Sequence, residues 1–82
     1  MRSERLVKLV EVVARHLVDH PDRVAVKKSR GDRHPRIELR VAEDDIGKVI
    51  GKDGRTAQSI RVLLNATAGK FGAGRAYLDI ID

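Results

Sequence analysis

A single α+β domain with elements in the order α-β-β-α-α-β is the fold that this 82-residue sequence predicts. Three observations predict it. Apolar residues recur at helical spacing in two long stretches, one near the N-terminus and one after residue 54. Two short runs between them alternate apolar and polar residues, the mark of half-buried strands. A glycine-rich segment, residues 47–54, then stands between a short apolar helix and a longer one. With 41% apolar content the chain holds enough for one modest core and not for a second.

Each element follows from local pattern. Ser3 is placed to cap a helix whose apolar residues Leu6, Val10, Val13 and Leu17 stand at i, i+4, i+7 and i+11, and Pro21 ends it. Val24 and Val26 alternate with Ala25 and Lys27 in a first strand. Residues 29–35, polar and including Arg30-Gly31-Asp32, read as the turn of a hairpin. Ile37, Leu39 and Val41 alternate with Arg36, Glu38 and Arg40 in the second strand. Glu43, Asp44 and Asp45 supply acids to the first turn of a short helix carrying Ile46, Val49 and Ile50. The next helix, residues 55–68, turns Ala57, Ile60, Leu64 and Ala68 to one face. Gly69, Gly72 and Gly74 break it before a last strand with Leu78 and Ile80 on one side. There is no internal repeat and no linker.

Charge narrows the choice of partners. The net charge is +5, concentrated in two blocks: seven cations against two acids in residues 23–40, and four cations with no acid in residues 55–75. Eleven of the seventeen cations are arginine, which suits bidentate contacts to phosphate. Between the blocks, Gly47, Gly51 and Gly54 recur at i, i+4 and i+7. In a continuous helix they would share one face and leave bare backbone for a polymer to approach. Gly51-Lys52-Asp53-Gly54 reads as a tight turn ahead of the next helix, whose first N–H groups and positive dipole end favour an anion. The combination points to nucleic acid.

The element order, together with Ile50-Gly51-Lys52-Asp53-Gly54 between two helices, resembles the K-homology (KH) domain of the prokaryotic, type II form. The run from Val41 to Ala57 and the segment from Leu17 to Asp22 are similar to the KhpA family of small single-domain RNA-binding proteins, a likeness that covers almost the whole chain. The resemblance implies one KH domain over residues 1–82, with a three-stranded sheet covered on one face by helices. It implies a loop that clamps single-stranded RNA over about four nucleotides, with Gly47, Lys48, Val49, Ile50, Gly51, Lys52, Asp53, Gly54 and Arg55 as contact residues. Bases would lie over an apolar floor drawn from Val49, Ile50 and the strand around Ile37 and Leu39. Family members are also implied to form homodimers, to pair with a larger KH protein of the KhpB (Jag) family, and to act on small RNAs in control of cell division or elongation. An RNA chaperone or post-transcriptional regulator is the expectation; an adaptor working mainly through protein pairing is the alternative.

Other residues bear on these readings. Val62, Leu63 and Ala66, with the small Ser59, form a second apolar strip on the last helix, either absorbed into a crowded core or presented as a dimer interface. Asp53 places a carboxylate where phosphate is expected and reads as a turn-forming residue facing solvent. The basic connection from Lys27 to Arg36 either flanks the RNA groove or serves solubility. Phe71 and Tyr77 are the only Phe, Tyr or Trp residues, too few for a multi-ring stacking platform. The glycines match neither a P-loop nor a dinucleotide fingerprint. His16 and His20 stand at i and i+4 but lack a third metal ligand. No catalytic residue, cofactor or metal is therefore expected. Cysteine is absent, and the opening residues run straight into an amphipathic pattern, so no signal peptide or membrane span is expected and the cytoplasm is the default setting.

Overall fold

The computed structural model describes residues 2–29, 34–70, 72 and 74–81, and nothing of the side chains of Arg2 and Ser3. Helix α1 spans Arg2–Leu17, strand β1 Ala25–Ser29 and strand β2 Arg36–Arg40. Helix α2 spans Ile46–Ile50, helix α3 Arg55–Lys70 and strand β3 Tyr77–Ile81. The expected order α-β-β-α-α-β is the observed one. The expected Ser3 cap, the turn through residues 30–33 and Phe71 lie outside what is described.

The alternation of Ile37 and Leu39 with Arg36, Glu38 and Arg40 sets the sheet. Strand β2 is central, antiparallel to β1 with Val26 opposite Leu39, and parallel to β3 with Ile37 opposite Leu78. Its two apolar residues are fully buried. Cross-strand ion pairs, Lys27 with Glu38 at 4.0 Å and Arg36 with Asp79 at 3.2 Å, join the polar residues. Helices α1 and α3 pack on each other and on the sheet. On α3 the buried residues are the expected four, Ala57, Ile60, Leu64 and Ala68. Ile60, Leu64 and Ala68 close the core with Leu6, Val10, Val49 and Leu78.

Two details differ from expectation in the first third of the chain. The buried stripe of α1 is Leu6, Val10 and Ala14; Val13 flanks it and Leu17 is 36% exposed. Pro21 does not end the helix. It opens a separate 3-10 turn, Pro21–Arg23, at the first position, where its missing N–H leaves no hydrogen bond unmade.

The acidic triplet does more than meet a helix dipole. Glu43–Asp45 form a 3-10 turn ahead of α2, and Asp45 is completely buried. Its carboxylate accepts the backbone N–H of Asp19 at 3.1 Å and of His20 at 3.0 Å, fastening the segment after α1 to the start of α2. Lys48 lies 3.7 Å from Asp45 and 3.3 Å from Asp19, closing the brace. Burial works to raise the Asp45 pKa. The two N–H donors, then the charges of His20 and Lys48, outweigh it and hold the carboxyl below its ordinary value. A depressed native pKa stabilises the fold above the unfolded value, about pH 4, and that contribution disappears as pH falls through the native value. Asp45→Asn is therefore expected to lower the thermal midpoint at neutral pH, and to lose less further stability than the unmodified chain between about pH 4 and pH 2. Thermal melts followed by circular dichroism across that range check both.

Candidate nucleic-acid interface

The polypeptide leaves α2 abruptly. Gly51 takes φ 77° and ψ 172°, its N–H donates to the Gly47 carbonyl at 2.9 Å, and the Gly54 N–H donates to the Gly51 carbonyl at 3.1 Å. A Cβ on Gly51 would stand 2.6 Å from Cβ and 2.8 Å from the backbone N of Thr56, so a side chain is excluded there by space as well as by φ. Asp53 and Gly54 are also left-handed, at φ 56° and 75°. Asp is among the few side-chain-bearing residues that tolerate this region, so backbone geometry accounts for Asp53 as a turn former. Lys52 and Asp53 are both exposed, and α3 starts at once with exposed Arg55.

The helix break separates the three glycines. Only Gly47 is helical; it is exposed, and apart from its chain neighbours and its own helix backbone nothing described lies within 4 Å of where its Cβ would be. Gly51 and Gly54 belong to the loop. Among the other expected contact residues, Ile50 is 38% exposed, Val49 is fully buried, and the Lys48 ammonium faces the two aspartates of the brace.

Beside the loop lies an open groove of about 560 Å³, lined by Ile50, Gly54, Ala57, Arg61 and the strand residues Leu78, Asp79, Ile80 and Ile81. The floor expected from Val49, Ile37 and Leu39 is thus corrected. Those three are 0% exposed. Helix α1 packs on the central strand β2, and the strand that reaches the groove is the edge strand β3. Arg61 bridges the two walls, donating from its guanidinium to the Leu78 carbonyl at 3.4 Å. Asn65 fixes the far end: its side-chain oxygen accepts the Ala76 N–H and its amide donates to the Arg61 carbonyl, each at 3.0 Å. Sequence reasoning had no role for either residue. The lone signal was that no acid occurs in residues 55–75, which leaves Arg61 uncompensated on its own helix.

The strip of Ser59, Val62, Leu63 and Ala66 is exposed, with Val62 at 61% and Leu63 at 51%, and so is not part of the core of one chain. His16 caps nothing beyond its own helix; Nδ1 donates to the Val12 carbonyl at 2.8 Å. His20 lies past the helix end, so the i, i+4 pair does not share a helical face. Among the described residues, no cluster of three or more His, Cys, Asp or Glu could hold a metal ion, and no helix is long and apolar enough to cross a membrane.

Two helices joined through a left-handed Gly-x-x-Gly loop, in a chain of order α-β-β-α-α-β whose three-stranded sheet has β3 parallel to β2, define a type II KH domain. The sequence profile described as KhpA/KhpB, KH domain, matches residues 7–80, and the chain belongs to that family. It is 49% identical over 74 residues to the RNA-binding protein KhpA of Treponema pallidum, spanning 90% of this chain and 91% of that protein. The RNA-binding protein KhpA of Halalkalibacterium halodurans is 51% identical over 74 residues, 90% of this chain and 96% of the relative. Among solved structures, an Era variant from Aquifex aeolicus superposes with a TM-score of 0.69 at 22% identity, over 92% of this chain and 29% of that one. That likeness is one of fold.

Proposed function

We propose that the chain binds single-stranded RNA without catalysis. The loop from Gly51 to Gly54 grips the sugar-phosphate backbone of about four nucleotides, Lys52 and Arg55 meet phosphate, and bases lie in the groove between α3 and β3. The observation that carries this reading is the continuity of the loop with that groove: Gly54 and Ile50 line it at one end and the β3 edge forms its far wall. Gly47 leaves bare backbone on the α2 side of the loop. The printed name of the relatives, RNA-binding protein, supports the ligand class. Residues 1–82 act in this reading as one cytoplasmic KH domain.

Backbone contact makes the expectation electrostatic. Affinity for a short single-stranded RNA should fall log-linearly with salt concentration, and duplex RNA should compete poorly. Fluorescence anisotropy over a salt series measures this; affinity that does not change between low and physiological salt would sink the reading.

The exposed strip on α3 favours a second component of function. Val62 and Leu63 leave apolar surface wet in one chain, and a second KH chain packed on α3 would cover it. We read this as a homodimer surface that a KhpB-type partner can also use, setting two clamps side by side. In this reading such pairs act in small-RNA chaperoning and in control of cell division or elongation. Should pairing outweigh RNA contact, the chain is an adaptor, and the loop and the strip are then separable by mutation.

A further inference from the structure

Beyond the loop-side groove, a second recess of about 480 Å³ continues along α3 and β3 toward the start of the strand. Arg61, Leu78 and Asp79 line both spaces, so one trough runs from Gly54 to Tyr77. Its far end carries chemistry that the groove lacks. Tyr77 as a residue is 38% exposed, and the Arg36 guanidinium lies 5.2 Å and the Arg75 guanidinium 5.6 Å from the centroid of its ring. His34 meets the ring edge-on at 6.2 Å. Three guanidinium groups line this recess against one carboxylate, Asp79, which is paired with Arg36; Val62, which a second chain would cover, belongs to its α3 wall, whereas Arg75 and Tyr77 stand on the strand side.

An aromatic ring set among guanidinium groups suits a nucleotide. Bases stack on Tyr rings and on Arg planes, and guanidinium forks donate hydrogen bonds to phosphate. One ring cannot build a platform for several bases, but it can serve one. We propose that this recess is a further nucleotide subsite, taking the base next to those held in the groove against Tyr77 and its phosphate against Arg75. The subsite rests on the reading of the loop as an RNA clamp and lengthens its footprint. It tolerates any base, because every base offers a π-face.

Anisotropy with oligouridylates of about four and about eight nucleotides tests it, using the unmodified chain, Arg75→Glu, Tyr77→Ala and Lys52→Asp. The expected result is that Arg75→Glu and Tyr77→Ala each weaken the longer RNA about tenfold and leave the shorter one unchanged, whereas Lys52→Asp weakens both. Arg75 is exposed and precedes β3, so Arg75→Glu decides the matter if circular dichroism shows Tyr77→Ala to be unfolded. Equal losses at both lengths, or no loss at the longer length, overturn the subsite. In that event a loss with Lys52→Asp leaves the clamp standing, and no loss with Lys52→Asp overturns the clamp as well.

Discussion

Lys52→Asp is expected to remove most of the affinity for single-stranded RNA while leaving the fold in place. The substitution turns the loop into Gly-Asp-Asp-Gly and puts two carboxylates where phosphate is to lie. Losing one charge-assisted contact costs about 1.5–3 kcal/mol, a factor of about 10 to 150 in affinity, and the new repulsion adds to it. The fold should be indifferent, because Lys52 is exposed and makes no ion pair among the described residues. Binding isotherms paired with circular dichroism and melting check this. A variant with unmodified melting and unmodified RNA affinity would show that the loop is not the binding site, and would favour the adaptor.

Leu63→Glu is expected to give a folded monomer with weaker RNA binding. Leu63 is half-exposed in one chain, so a carboxylate there keeps its water until a second chain arrives. In the interface it would be an uncompensated buried charge, a penalty of about 3–5 kcal/mol, which loosens a dimer more than a hundredfold, about two decades or beyond. Losing the paired clamp lowers apparent RNA affinity through effective concentration and reduces the salt slope. Light scattering at tens of micromolar is the check, with Lys52→Asp as the control that should remain dimeric. An unmodified chain that scatters as a monomer at that concentration removes the dimer reading.

The parts of the fold that were legible in the sequence are those encoded by local period. The buried face of α3 was readable because Ala57, Ile60, Leu64 and Ala68 keep one helical side, although the helix runs through Gly69 to Lys70, two residues past the expected end; β2 was readable because Ile37 and Leu39 alternate with charges. The α1 stripe was misread at Ala14, whose small side chain gives a weak hydrophobic signal although it is fully buried. Asp45 was not legible at all. Three consecutive acids look alike in sequence, and the N–H groups that single out the third come from residues 25 and 26 positions away. The groove wall failed for a related reason: alternation marks a strand as half-buried but does not say which strand is central. Parallel pairing of β3 with β2 decides that, and it transfers the wall from Ile37 and Leu39 to Leu78, Asp79, Ile80 and Ile81. The loop itself was readable because left-handed backbone demands glycine at Gly51 and Gly54.

Amide chemical-shift mapping during titration with a short single-stranded RNA tests the central claim most directly. The clamp requires the largest shifts at Gly51, Lys52, Asp53, Gly54 and Arg55, extending along the groove to Ala57, Arg61 and the edge strand from Leu78 to Ile81, with α1 and β1 quiet. Shifts confined to α1, to β1 or to the Val62 and Leu63 strip, with the loop amides unmoved at saturation, would contradict it.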